Sequence, residues 1–501
     1  MSKIAIIDIG SRSVVLEVFE IRGESFKVLR HESSKTFLGK NMGHDGVLDS
    51  GAVSKTMDVL REYRAVIDSF GRVRVFACCT AAVRESKNKK EFVASVQEIL
   101  GTGAEISVID GKKEAYYDYL GVINTTDMRE FVLIDTGGAS TEMALVKDRR
   151  LIDSVSLPYG AVNLSERFFP NVWAASHTLA EAENTIRPEI ENIPWMKEAK
   201  NLPIIACGGS MRALARAEMK KRIATNSSLH NYMINYSNFA FMYKQISKLD
   251  AEQRSTKLGI NRKSSKIILG GLVPLKVLFD VVSARRVYYS EYALRYGMFY
   301  EKFALANRRL TPVEPDVLEA SVARLQQRFE CDVEHANKVR EVALSVFDQT
   351  EKWHRLGERY RKILSVAASL HDCGEFIQFH NHQQHSYYLI KESDLYGMDK
   401  WDKLFAAVVA GMHRREKLQL DRQYRRVLNR TTLGILRELA ACLAVGEKIA
   451  NGDTDSDRVK CEVEAKLVRV INKGAANKHY EQGQVAMDRK MLGRKVIIMG
   501  I

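Results

Sequence analysis

Two stretches of this chain carry the same order of residue types: IAIIDIGSRSV around Asp8 and FVLIDTGGASTEMAL around Asp135. Each is a run of strand-forming apolar residues closed by an aspartate, followed by a Gly/Ser turn and a second apolar run. The run surfaces where Gly and Ser take over, so each Asp stands at a sheet edge beside a turn of free backbone N–H groups. Such a turn is a place to hold a phosphate. Aspartate alone repels phosphate, so the pairing makes chemical sense when a divalent cation, Mg2+ (or Mn2+), lies between carboxylate and phosphoryl oxygens. Asp8 and Asp135 are then the metal-side residues, and the backbone of Gly10, Ser11, Gly137, Gly138, Ala139 and Ser140 supplies donors. Cleaving a phosphoanhydride also needs a group to activate or orient water. Glu142, just past Ser140, and Glu114, opening EAYYDYLGV after the DGK turn, are carboxylates placed for that work. Arg84 in CTAAVRESKN adds a forked cation. Structural hairpins and solvated glutamates are the competing readings of the same residues.

These residues must be carried by alternating strands and helices. Strand-like IAIID, VVLEVFEI, RVRVFACC and EISVID interleave with helical stretches such as VSKTMDVLREYRAVIDSF, whose apolar residues recur at helical spacing. From Arg129 the order restarts with FVLIDTG, EMALV and RLIDSVSLPYG. Two α/β halves that open alike suggest an internal duplication with a cleft between lobes, where a substrate sits. The expected divisions are 1–124 and 125–304 for the lobes, 305–450 for an all-α domain entered through ANRRLTPVEPDV, and 451–501 for a small, separately folded C-terminal α/β segment.

The chain has 501 residues, is 46% hydrophobic and carries a net charge of +14, which favours an anionic partner. Seven cysteines without CxxC spacing, among them Cys78, Cys79, Cys207 and Cys442 in apolar stretches, argue against a disulfide framework or structural zinc cluster. No secretion signal opens the sequence, and IILGGLVPLKVLFDVV is broken by Pro274, Lys276 and Asp280 and falls short of a membrane span. A cytoplasmic location without membrane or specific nucleic-acid partners is expected.

The ordered motifs AIIDIGSRS, ACCTAAVRESKN, SVIDGKKEAYYDYLGV, VLIDTGGASTEMALV, SLPYGAVNLSERF, IIACGGSMRALAR and ILGGLVPLKVLF together resemble the exopolyphosphatase / guanosine pentaphosphate phosphohydrolase family. That family belongs to the actin/hexokinase superfold, so the resemblance implies duplicated actin-like (ribonuclease H-like) lobes. It also implies two phosphate-binding turns at Asp8 and Asp135, Glu114 as the base for water, Glu142 as its acidic partner and Arg84 on substrate phosphate. The substrate-binding set then includes Gly10, Ser11, Arg12, Ser13 and, in the ACGGSM turn, Gly208, Gly209 and Ser210. Three departures stand out. Arg12 occupies a turn position where an amide is usual, and its fork suits phosphate. Lys112 and Lys113 replace acidic positions before Glu114, which would make the entrance less acidic and lower the proton affinity of Glu114. Ala139 stands where a third glycine is common.

The helical region carries His371-Asp372 in SLHDCGEF, with His335 upstream, His413 downstream, and His380, His382 and His385 in FHNHQQHSYYLI. Here the resemblance is to the HD-like C-terminal domain of longer family members, and implies a second metal site from His335, His371, Asp372 and Glu447. Glu447 replaces the usual late aspartate, so a metal site and a hydrogen-bonded His/Asp network both remain open. Basic runs in RKSSK, HRLGERYRK and from His413 to Arg430 are either solvated helix faces or a track for a long polyanion.

The expected activity is an exopolyphosphatase that releases orthophosphate from the end of inorganic polyphosphate, with conversion of guanosine pentaphosphate to tetraphosphate as the alternative. An ATP-dependent kinase of the same superfold, reading ACGGSMRAL and ILGGLVPL as nucleoside-contact glycines, and a non-catalytic sensor are the readings of other classes. A homodimer is expected by analogy.

Overall fold

A computed structural model describes residues 2–40, 46–170, 176–222, 228–414, 418–424, 427–450, 459–473 and 485–500. The chain divides into two compact units, Met1–Val317 and Leu318–Ile501.

The first unit is built on two sheets. β1 (Ser2–Ile9), β2 (Val14–Arg22), β3 (Ser25–Ser34), β4 (Arg74–Cys79) and β5 (Glu105–Val108) lie in the order β3-β2-β1-β4-β5. β6 (Phe131–Thr136), β7 (Thr141–Lys147), β8 (Arg150–Leu157), β9 (Ile204–Cys207), β10 (Tyr232–Asn235) and β11 (Arg286–Tyr289) lie in the order β10-β11-β9-β6-β7-β8. Each sheet opens with an antiparallel three-strand meander and adds a parallel strand beside the first, β4 on β1 and β9 on β6. This is one fold written twice, the duplicated actin-like arrangement. β1 and β6 are central and covered on both faces, which is why IAII and FVLI are continuous apolar runs rather than alternating ones.

The helices Gly111–Ile123 and Leu294–Ala306 pack closely on each other. A Cβ on Gly297 would lie 1.8 Å from Tyr117 O, and one on Gly121 would lie 2.2 Å from Ala293 O, so the two glycines permit the approach. The later helix also docks on the first sheet, with Phe299 stacked on Phe19 at 3.9 Å between ring centroids. The end of the second α/β half therefore returns to the first. The apolar stretch around Pro274 is a helix, Ile268–Val282, buried in the core of the second lobe. Among the described residues no helix is long and apolar enough to cross a membrane.

The described residues of the second unit are helices as far as Ala450, followed by a sheet. β12 (Val459–Val463), β13 (Leu467–Asn472), β14 (Val485–Met491) and β15 (Arg494–Gly500) lie in the order β12-β13-β15-β14. Val459, Val468, Val470, Met491, Val496 and Ile498 share one hydrophobic core with the helices. The expectation of a separately folded α/β segment from 451 is thereby corrected: the described part is all strand, and burial of its alternate side chains ties it to the helical unit.

Helix Val333–Gln349 begins where Asp332 accepts a hydrogen bond from His335 N at 3.0 Å, and buries Ala336, Val339, Val342, Ala343, Val346 and Phe347 at three- and four-residue spacing. Helix Arg430–Ala450 crosses it at Gly446, where a Cβ would lie 2.6 Å from Val339 O. That crossing brings Glu447 beside His335.

Candidate active site and a second polar cluster

The two Gly/Ser turns are alike in their bonding. Gly10 N donates to Ser13 O at 3.0 Å, and Gly137 N donates to Ser140 O at 3.0 Å. They also face each other: a Cβ on Gly138 would lie 3.5 Å from Ser11 Cβ and 3.8 Å from Arg12 Cβ. Both line one cavity of about 280 Å3, together with Asp8, Asp135, Glu114, Glu142 and the turn Gly208–Ser210. Gly208 has φ +88°, and a Cβ there would come within 2.8 Å of Asp135 Oδ1, so glycine lets the third turn back onto that carboxylate.

Glu114 sits in the first turn of helix Gly111–Ile123, whose cap Asp110 accepts from Lys113 N at 2.7 Å. The helix can lie against β8 because its first residue is Gly111, where a Cβ would meet Ser156 Cβ at 2.3 Å. Ser156 Oγ donates to Glu142 Oε1 at 2.8 Å, and Arg84 Nη1 donates to Glu114 Oε2 at 3.0 Å. Both carboxylates are thus fixed by neighbours and buried.

The carboxylates crowd one another. Burial raises Glu114 to about 7 against the pull of Arg84, with Asp8 and Asp135 adding to the rise. Burial and the Asp8 charge raise Asp135 to about 6. Asp8 is raised by burial despite Arg295, whose Nη1 lies 3.5 Å from Asp8 Oδ2. Glu142 is raised well above the usual carboxylate range by burial and by Glu114. Asp118 is raised likewise, by burial and then by Asp135, Glu142 and Glu114, and its Oδ1 is buried without a hydrogen-bond partner. Oxygen ligands in excess of local positive charge, one of them an orphaned buried atom, are what a hard divalent cation requires.

A second group of charges has the opposite sign. Arg12 donates to Lys263 O at 3.3 Å and lines the cleft with Lys35 and Arg212. Burial lowers the Arg12 and Lys35 proton affinities, and repulsion among Arg12, Arg212 and Lys263 lowers them further. A larger cavity of about 620 Å3 continues from Ser11, Arg12 and Gly138 to Lys40, Arg262, Lys263 and Lys266, with Phe37, Val162 and Ile267 as apolar wall. The RKSSK run therefore faces a cavity.

Several expectations are corrected. Arg84 is committed to Glu114, Glu85 and Ile109 O, so it braces the candidate base rather than presenting a free fork. Lys113 pairs with Glu301 at 2.7 Å and lies over Tyr117, Lys112 is exposed, and neither lines the cavity. Glu114 accordingly has a raised rather than lowered proton affinity, because burial dominates. In the kinase reading, Gly270 and Gly271 would be open to a nucleoside; instead a Cβ on either would strike Ser165 Oγ at 2.5 Å or Ser210 Oγ at 2.0 Å, so they are packing glycines. Sequence reasoning missed Asp118 and Arg295. The Asp118 signal was its position one helical turn after Glu114.

In the second unit the four predicted residues come together. Glu447 Oε2 lies 3.0 Å from both His335 Nε2 and His371 Nε2, so its longer side chain does reach the cluster. The ligand atoms of His335, His371, Asp372 and Glu447 lie within 4.8 Å of one another, as do those of Asp372, His382 and His413. His380 is exposed. In HRLGERYRK, Arg359 and Arg361 pair with Asp402 and Asp348, as solvated helix faces do. Arg415–Lys417, Arg425 and Arg426 of the His413–Arg430 run lie outside the described residues.

Twin hairpin turns on duplicated actin-like lobes close on buried carboxylates around one cleft, an arrangement whose backbone N–H groups suit an anion. Residues 17–306 match the model of the Ppx/GppA phosphatase family, and residues 317–469 match that of Ppx/GppA phosphatase, domain III. The chain belongs to the Ppx/GppA phosphatase family. It is similar to the crystal structure of the Aquifex aeolicus family member, with 26% identity, 61% of this chain and 99% of that chain covered, and a TM-score of 0.54. An exopolyphosphatase from Cytophaga hutchinsonii shares the fold at 20% identity, with 62% of this chain and 100% of that chain covered and a TM-score of 0.56.

Proposed function

We propose that this chain is an exopolyphosphatase, hydrolysing the terminal phosphoanhydride bond of inorganic polyphosphate. The observation that carries the reading is the meeting of the two turns over Asp8, Asp135 and Glu114, with a cation-lined cavity continuing beyond them. The turn N–H groups hold the terminal phosphoryl oxygens. Asp8 and Asp135, with Asp118 lining the same cavity, would hold Mg2+ (or Mn2+), which would supply charge neutralisation at those oxygens. Glu114, braced by Arg84, orients water and accepts its proton; the water oxygen bonds to the terminal phosphorus as the bridging P–O bond breaks, and the shortened chain leaves as an anion. Glu142, held by Ser156, stands beside Glu114 as its acidic partner and fixes the wall of the site behind it. Arg12, Lys35, Arg212 and the Arg262–Lys266 segment bind the departing polyanion.

The apolar wall of Phe37, Val162 and Ile267 favours a second reading, in which the larger cavity seats a guanine base and guanosine pentaphosphate is cut to tetraphosphate. Orthophosphate release from long-chain polyphosphate and from guanosine pentaphosphate, compared side by side with Mg2+, decides between them. A higher kcat/KM for polyphosphate supports the first reading, and a higher value for the nucleotide replaces it with the second. Tight binding of either without turnover would make the protein a sensor.

A further inference from the structure

Glu17 interrupts the apolar run VVLEVFEI and is buried on β2. The register sets Val15 opposite Asp8 and Glu17 opposite Ile6, so Glu17 and Asp8 stand on one face of the sheet as diagonal neighbours. The same position in the second lobe is Ala144, opposite Leu133. A buried acid at this place therefore belongs to the first lobe alone, and the Gly/Ser turn does not use it.

The guanidinium of Arg295, near the start of helix Leu294–Ala306, lies between the two carboxylates. Its Nη1 is 3.5 Å from Asp8 Oδ2, and its Nε is 3.8 Å from Glu17 Oε1. Charge-assisted hydrogen bonds close to about 2.7–2.9 Å, so the cation is fully seated on neither acid. Two atoms carry the shortfall: Arg295 Nε and Glu17 Oε2 are both buried, and among the described residues neither has a hydrogen-bond partner. His31, directly opposite Glu17 on β3, donates from Nδ1 to Glu17 Oε1 at 3.0 Å and holds that carboxylate in place. Burial works against the Arg295 charge, but Glu17 and then Asp8 more than offset it, so the side chain remains a cation.

An open buried donor beside an open buried acceptor marks a second seat for the guanidinium. A shift of about 1 Å toward Glu17 would close the Nε contact. The same shift withdraws Arg295 from Asp8 Oδ2, the oxygen a metal ion must reach, and the charge of such an ion repels the guanidinium in that direction.

We propose that Glu17 is a positioning residue for the cleft: it receives the Arg295 guanidinium when a divalent cation takes Asp8. Arg295 then neutralises Asp8 in the metal-free protein without competing for it in the loaded one. The inference rests on the reading of Asp8 as a metal-side residue.

The test is calorimetric titration of Mg2+ into the full chain as wild type, Glu17→Gln, Arg295→Met and the double variant, with Asp8→Asn identifying the cleft's share of the heat. Glu17→Gln keeps the shape of the side chain, removes its charge and leaves Arg295 on Asp8. It is expected to weaken Mg2+ binding in the cleft by about tenfold. The Mg2+ concentration for half-maximal orthophosphate release should rise in step, with kcat at saturating Mg2+ changed by less than about twofold. Once Arg295→Met has removed the competing cation, adding Glu17→Gln should weaken binding by less than about threefold, a non-additivity that a merely structural acid would not give. An unchanged affinity in Glu17→Gln, or an equal loss with and without Arg295, would overturn the proposal and leave the metal reading of Asp8 intact. Mg2+ heat that survives Asp8→Asn unaltered would overturn both. Should either single variant fail to fold, the double variant, which removes both charges together, decides: binding within about threefold of wild type, or tighter, supports the proposal, and weaker binding overturns it.

Discussion

The hairpin turns of the two lobes share a backbone but differ in side chains. The register places Val15 opposite Asp8 in the first lobe and Glu142 opposite Asp135 in the second. The third turn residue is Arg12 in the first and Ala139 in the second. One copy thus carries an apolar support and a cation; the other carries a small residue and a buried acid. A duplicated scaffold explains how two such turns come to face each other. In the proposed reading, Arg12 on the first turn binds the outgoing polyanion, and Glu142 beyond the second turn supports Glu114, which the first lobe supplies, at the attacking water.

The largest expected effect tests the acid side. Glu114→Gln keeps the shape of the side chain and should lower kcat by about 10²–10⁴-fold with little change in KM, as measured by orthophosphate release under saturating Mg2+. An effect confined to KM would move Glu114 from chemistry to binding. Making the second turn resemble the first, by Glu142→Val, should cost about 10–100-fold in kcat. The same variant should be the more heat-stable protein in EDTA, because a buried, repelled carboxylate has been removed. Making the first turn resemble the second, by Arg12→Ala, should raise KM for polyphosphate by about tenfold, with kcat nearly unchanged and a shallower dependence on salt. Ala139→Gly should change either constant by less than about twofold, since the turn already donates through its backbone.

The crowding of acids also makes a pH prediction for the metal-free protein. Glu114 is raised from 4.5 to about 7 and Asp135 from 3.8 to about 6. A group raised in the folded state binds its proton more tightly there, so its contribution to stability is complete below the unfolded value and is lost as pH rises through the folded one. In EDTA, the thermal midpoint of wild type relative to Glu114→Gln should fall between pH 4.5 and about 7. Mg2+ should remove most of that fall. A flat difference across this range would show that the acids do not crowd one cleft.

The turns were legible because their signal is local: an apolar run, an aspartate and Gly/Ser within a few residues. Glu114 was legible for the same reason, from its place after a strand and turn. Asp118 was hidden because it lies in the apolar stretch AYYDYLGV, and only the packing of that helix between the lobes shows what it faces. Arg295 reaches Asp8 from 287 residues away, on a helix whose return to the first sheet is a tertiary event without a local marker. Lys113 looked like an entrance residue, but Glu301, on that same returning helix and 188 residues away, holds it elsewhere. In the helical unit, the predicted grouping stopped at one set of ligands. His382 and His413 join Asp372 only through the packing of helices His382–Glu392 and Lys400–Gly411.

The central claim is geometric, and a crystal structure of the Glu114→Gln protein with Mg2+ and tripolyphosphate tests it most directly. The account predicts a terminal phosphoryl group held between Gly10–Ser13 and Gly137–Ser140, and a cation touching Asp8 and Asp135. It also predicts that the amide introduced by that substitution faces the phosphorus on the side opposite the bridging oxygen. A phosphoryl group bound away from either turn, or a cation that contacts neither aspartate, would contradict it.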